Sequence, residues 1–157
     1  KVIVPKFTDW QMIGMFRATN VADNFKTEFE PEKEAFNAAK EYKGKRNMPV
    51  KWVKKDIKDG EVTPLPEVGG TCATYLYREL EMTAAADVPV AIGSAGTLTV
   101  WLNGEKIHSS DKANPAATAL TLKLKAGKNT LMVKMCDSGA AHAFSFALGH
   151  GDAGPVG

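Results

Sequence analysis

An Asn-Gly pair, Asn103-Gly104, stands between two strand-like runs, Thr97–Leu102 and Lys106–Ser109. Both residues of a two-residue hairpin turn need positive φ, and Asn followed by Gly meets that demand best. The pair therefore fixes an antiparallel hairpin and its register. Leu102 is set opposite Glu105, Trp101 opposite Lys106, Val100 opposite Ile107 and Thr99 opposite His108. Side chains alternate along a strand. Leu98, Val100 and Ile107 then share a core face, while Thr99, Trp101, Lys106 and His108 share the other.

Period-two patterning continues around this hairpin. Leu120, Leu122 and Leu124 alternate with polar residues, as do Leu131, Val133 and Met135, and then Phe144, Phe146 and Leu148. Thr71–Met82 and Val88–Ile92 are further strand-like runs, and Ala126-Gly127 and Ser138-Gly139 mark turns. Turn signals recur about every 8–14 residues, which favours a sandwich or barrel. A chain of 157 residues fits one such domain, and 44% hydrophobic with 24% charged residues excludes a disordered or fibrous one.

The first half is less regular. Pro31–Tyr42 (PEKEAFNAAKEY) has helical propensity but only a ragged apolar stripe, so a short helix and an extended surface segment both fit. Val50–Ile57 reads as a strand and Asp59-Gly60 as a turn, with Pro64 and Pro66 in a loop. Residues 149–157, rich in Gly, read as a flexible tail.

Composition and charge narrow the partners. Net charge is +2 with the lysines scattered, whereas a nucleic-acid binder shows a basic cluster or stripe. No apolar run reaches the ~18–20 residues of a membrane span. The opening Lys1-Val2-Ile3-Val4-Pro5 carries no leader pattern, which does not imply a cytoplasmic address. Cys72 begins one strand-like run and Cys136 ends another. If those strands are antiparallel, both sulfurs sit at one end of the sandwich. A disulfide, as oxidising compartments favour, and two buried thiols are the two readings.

Several of these runs resemble a known module. Thr99-Val100-Trp101-Leu102-Asn103-Gly104-Glu105-Lys106-Ile107-His108, then Leu122–Leu131 (LKLKAGKNTL) and Ala143-Phe144-Ser145-Phe146, look like the galactose-binding-like β-sandwich found beside glycoside hydrolase domains. The same module occurs in large secreted multidomain proteins of planctomycete-type bacteria. Trp10-Gln11-Met12-Ile13-Gly14 resembles its opening strand, and Phe29–Lys33, Tyr42–Lys45, Trp52 and Asp59-Gly60 resemble the stretch that follows. The likeness spans about residues 7–148. It implies an all-β, jelly-roll β-sandwich, a non-catalytic accessory role beside other domains, a glycan ligand and an extracytoplasmic address. Members often carry two aspartates after the Gly-Ser preceding the hairpin, where this chain has Gly93-Ser94-Ala95-Gly96.

Candidate contacts follow from the hairpin. Trp101 flanked by Thr, Lys and His is a flat apolar ring with polar donors at its edge, the composition of a sugar-stacking surface. Trp101, Lys106, His108 and, from the loop beyond, Asp111 are the candidate ligand residues. The competing reading is that the N-terminal segment packs over Trp101 and buries it. Trp10 is expected in the core and Trp52 at an edge of the sandwich; either could also line a binding groove, and nothing in the sequence separates that reading from core. Catalytic patterns are missing: Ser94 has Ile92 two residues before it, so it forms no nucleophile elbow. His108, His142 and His150 lack metal-ligand spacing, and Asp56 and Asp59 lie together on a turn. Modules of this type often hold structural calcium, but no Asp-rich loop supports it, so no cofactor or metal ligand is assigned. The rival role is a structural or protein-docking sandwich with no sugar ligand.

Overall fold

The structure, a computed structural model, describes residues 5–18, 20–65, 71–112, 114–137 and 143–149. His142, His150 and the tail beyond Gly149 lie outside them. The first half contributes β1 (Lys6–Phe7), β2 (Trp10–Phe16), β3 (Glu41–Lys43), β4 (Pro49–Lys51), β5 (Val53–Lys55) and β6 (Thr63–Pro64). The second contributes β7 (Cys72–Met82), β8 (Ala86–Ser94), β9 (Leu98–Leu102), β10 (Glu105–Ser110), β11 (Asn114–Leu124), β12 (Gly127–Asp137) and β13 (Ala143–Leu148).

The fold is an all-β sandwich. The larger sheet has the order β10-β9-β12-β7-β2-β5, with β1 also pairing with β7, and the smaller has the order β11-β8-β13-β6. From β7 onward the chain passes back and forth between the sheets, as in a jelly roll. Between them lies the core that the alternation foretold. Leu98, Val100, Leu131, Val133 and Met135 of the larger sheet meet Leu122, Leu124, Phe144 and Phe146 of the smaller, each at most 3% exposed. Burying each such side chain contributes about 1.5–3 kcal/mol. Trp10 joins this core as expected, edge-on to Phe144 at 5.2 Å and to Phe146 at 5.6 Å.

The larger sheet is buried on its other face as well. There Ile13, Phe16, Ala73, Tyr75, Tyr77 and Cys136 meet a third layer supplied by residues 20–52. That layer holds the α-helix α1 (Val21–Lys26), a 3-10 turn at Glu30–Glu32 and the β3–β4 pair. Asn20 caps α1, its Oδ1 accepting from the Asp23 amide at 2.8 Å. Helix therefore forms at 21–26 and not across Pro31–Tyr42. Pro31 starts only the 3-10 turn. Beyond it, Asn37 Oδ1 accepts from the Ala39 amide at 3.1 Å, closing a tight turn that interrupts a helix.

The Cys72–Cys136 bridge does not form. Cys136 stands opposite Ala73, and Cys72 opposite Asp137. This one-residue offset sends the two sulfurs to opposite faces of the sheet. Both thiols are buried. Burial pushes the Cys136 thiol up to about 11.

Candidate functional site

The Asn-Gly turn forms as its chemistry demands, with φ of 52° at Asn103 and 81° at Gly104. Glu105 pairs with Leu102 and Lys106 with Trp101, and then a bulge interrupts the ladder. Beyond it His108 pairs with Val100, Ser109 with Thr99 and Ser110 with Leu98. Trp101 and Lys106 keep the expected outer face, and the Lys106 Nζ lies 5.9 Å from the Trp101 ring centre. His108 does not join them. The bulge moves it to the side of Val100, whose own side chain belongs to the inter-sheet core. There its Nε2 is buried with no partner among the described residues. Asp111 follows the far end of β10, about 16 Å along the strand from Lys106, and is exposed.

A buried ion pair anchors the third layer over this outer face. Lys134 stands opposite Tyr75 on β7 and Thr99 on β9. Its Nζ lies 2.7 Å from Glu32 and donates to the carbonyls of Thr27 at 2.6 Å and Phe25 at 3.3 Å. The Tyr75 hydroxyl donates to the same Glu32 carboxylate. Burial, then the Glu32 charge, raises the Tyr75 hydroxyl, so it remains a donor. Phe16 stacks on Phe29 at 5.3 Å, and Phe36 lies flat on Tyr77 at 4.0 Å with 2° between the rings.

Where that layer stops short of β9, a cleft of about 380 Å³ opens. Pro31, Glu34, Phe36 and Tyr42 form one wall. Trp52 of the same layer and Tyr77, Trp101, Lys128, Thr130 and Met132 of the larger sheet complete the lining. Two of the chain's three tryptophans are fully packed, Trp10 at 1% and Trp52 at 4% exposure; Trp101 keeps part of its ring exposed. The N-terminal segment thus covers most of the outer face yet leaves Trp101 at the cleft's edge. Glu34 accepts from Lys40 at 2.7 Å and from the Tyr42 hydroxyl at 3.1 Å. The Lys40 bond holds its carboxyl below the usual carboxylate range. The Tyr77 hydroxyl donates to Glu79 at 2.9 Å, and burial raises it.

Of the four candidate residues, then, the structure keeps Trp101 and Lys106 together and separates His108 and Asp111 from them. The hairpin pattern alone did not point to Trp52, Tyr77, Glu34, Glu79 or Lys128. Trp52, read from the sequence as an edge aromatic able to line a groove, is packed at 4% exposure and lines the cleft. Other polar groups have structural partners: Asp59 pairs with Arg78 at 2.9 Å, and the Ser94 hydroxyl donates to the Thr97 carbonyl at 3.0 Å. Among the described residues no group of three or more His, Cys, Asp or Glu is placed to hold a metal ion. No helix among them is long and apolar enough to cross a membrane.

No family model matches the chain, and no curated protein matches it. Among solved structures it is similar to a family 35 carbohydrate-binding module from an environmental isolate, at 20% identity and a TM-score of 0.36. That match covers 51% of this chain and 68% of the module. It is also similar to part of a β-glucosidase from Kluyveromyces marxianus (16% identity, TM-score 0.42) and of a GH31 α-xylosidase from Xanthomonas citri (12%, 0.39). Half of this chain is covered in each, against 11% and 9% of those enzymes, so the chain spans about a tenth of their length. These likenesses are partial, and the sandwich rests on the strand order and core described above.

Proposed function

We propose that this chain is a non-catalytic accessory module that binds carbohydrate, with the cleft beside Trp101 as its sugar site. The observation that carries this reading is the one tryptophan with exposed ring area at the edge of a cleft that also presents carboxylates and an ammonium. A pyranose offers an apolar C–H face to such a ring and hydroxyls to the polar groups around it. Lys106, beside the ring, is a rim donor, while His108 and Asp111 have no part in the cleft. The resemblance to galactose-binding-like modules adds the setting, a larger extracytoplasmic protein of the planctomycete-type secreted class in which the module holds an attached enzyme near its polysaccharide.

Calorimetric titration of the chain against a panel of neutral, amino and acidic oligosaccharides tests the reading. Binding to at least one class is expected, with Trp101→Ala weakening it about tenfold, or ~1.4 kcal/mol, and Asp111→Ala leaving it unchanged. No binding above background across the panel would refute the sugar site. The docking role would then gain. It requires a contiguous apolar surface, whereas the exposed large hydrophobics among the described residues are Met48, Val53 and Val62.

A further inference from the structure

One run of the chain stands out from its otherwise scattered lysines. Residues 43–55 hold six cations, Lys43, Lys45, Arg46, Lys51, Lys54 and Lys55, and no Asp or Glu. The whole chain carries +2, which leaves −4 for everything outside this run. In the fold the run makes the turn and second strand of the β3–β4 pair, then β5, an edge of the larger sheet.

Alternation sets which way these charges face. Tyr42 and Val50 stand opposite each other and pack into the third layer. Lys43 and Lys51 are thereby turned outward, and both are exposed. As diagonal neighbours on one face they lie roughly 7–8 Å apart. A Cβ at Gly44 would lie 2.6 Å from the Met15 carbonyl oxygen, so only glycine lets the turn sit this close to β2. Arg46 is exposed on that turn, and Arg17, also exposed, follows the end of β2. Lys43, Arg46 and Lys51 have no carboxylate partner among the described residues, although Glu41 stands opposite Lys51. Lys54 has the exposed Asp9 at 3.4 Å. Met48 and Val53, 61% and 49% exposed, lie in the same run.

Such a surface suits a polyanion, whose fixed charges replace mobile counterions. Its make-up favours one class. Tyr42 and Trp52 are buried at 3% and 4% exposure, so no ring stands ready to stack a base, and no α-helix in the run can enter a groove. Membrane docking uses the broad apolar face of an amphipathic helix, against two single apolar side chains here. A linear chain of charged sugars can follow the extended stretch from Pro49 to Lys55, about 20 Å at strand rise, and rest its C–H faces on Met48 and Val53.

We infer that the β3–β4 turn and β5 form a second glycan surface that binds a linear acidic polysaccharide through Lys43, Arg46, Lys51 and Lys54. None of these four lines the cleft, so the inference goes beyond the cleft reading and stands without it. Labelled polygalacturonate and chondroitin sulfate are titrated with the chain, beside a short DNA duplex and phosphatidylglycerol vesicles. At least one polysaccharide is expected to bind, about tenfold more weakly at ~200 than at ~50 mM salt. The triple variant Lys43→Gln, Arg46→Gln, Lys51→Gln should weaken it about tenfold, at roughly two- to threefold per exposed charge. Lys112→Gln, Lys123→Gln, Lys125→Gln removes equal charge elsewhere and should change it less than about twofold. Circular dichroism checks that both variants keep the native fold. A neutral oligosaccharide held at the cleft should not sense the first triple.

No binding of either polysaccharide at low salt overturns the inference. So does a control triple that weakens binding as much as the first, because net charge alone would then explain it. Tighter binding of the duplex or the vesicles than of either polysaccharide also overturns it. Neutral sugars failing while the acidic polymer still binds would refute the cleft and leave this surface standing.

Discussion

Replacing Lys134 with Met removes an ammonium of similar length from a place almost closed to water. The side chain is 2% exposed, and its partner Glu32 is 8% exposed. Three oxygens lose their donor at once: the Glu32 carboxylate at 2.7 Å and the carbonyls of Thr27 at 2.6 Å and Phe25 at 3.3 Å. The Tyr75 hydroxyl alone then faces a buried carboxylate. Breaking a buried pair from one side costs about 3–5 kcal/mol. For a chain of this size each kcal/mol lowers the melting temperature by roughly 2–4 °C, so the drop should be about 6–20 °C. Urea melts followed by tryptophan fluorescence read the loss directly. Adding Glu32→Gln to Lys134→Met removes the stranded charge and should recover at least about 1 kcal/mol. A single variant within about 1 kcal/mol of wild type would refute the reasoning, because it would mean that solvent reaches the pair. So would a double variant as unstable as the sum of the two singles.

Three further outcomes follow from the same geometry. Gly96→Ala would place its Cβ 2.1 Å from the Cys136 carbonyl oxygen, which also accepts from the Thr97 amide at 3.0 Å. The backbone must shift, at about 1–3 kcal/mol, and an unchanged melting temperature would count against the close approach. Asn129, fully buried, donates to the Lys125 and Gly127 carbonyls at 2.9 and 3.2 Å and accepts from the Lys125 amide and Asn103 Nδ2 at 3.0 and 2.9 Å. Asn129→Ala should lose roughly 1–3 kcal/mol and speed hydrogen exchange at the Lys125 amide; unaltered exchange would sink this. The Cys136 thiol, raised by burial from 9.0 to about 11, holds its proton more tightly folded than unfolded. Its contribution is complete below pH 9 and is lost as pH rises to 11, about 2–3 kcal/mol in all. Cys136→Ala should lack that decline, and parallel pH profiles for wild type and variant would contradict it.

Much of the sandwich was legible in the sequence because two-residue alternation and turn chemistry are local properties. Leu131, Val133 and Met135 point into the inter-sheet core as their spacing requires, and Asn103-Gly104 makes the turn. The third layer was not legible. In Met132, Lys134 and Cys136 the alternation places a lysine where solvent is expected, yet the lysine is buried. Its burial depends on Glu32, about a hundred residues away in the chain, and no local pattern announces such a pair. For the same reason the helix formed at 21–26, where Asn20 supplies a cap, and not at 31–42, whose aromatic and acidic residues are held by contacts with the sheet.

The site divides along the same line. Trp101 was readable because its face follows from the turn register, and Lys106 because it lies directly opposite. His108 was misplaced by one extra residue, since a bulge reverses every facing assignment beyond it and leaves no mark in composition. The cleft wall required the covering segment to be in place, so Phe36, Tyr42 and Glu34 had no assignable role before the fold was known. Glu32 and Phe36, whose contacts tie this segment to the sheet, also line the cleft. Its shape therefore depends on the ion pair at Lys134, and under the proposed function a sugar touching both wall and sheet would stabilise this packing by binding only the folded layer. Sequence reading from the hairpin outward finds half of this surface. The other half exists only because a segment with little secondary structure of its own is held down by one buried charge pair and a few stacked rings.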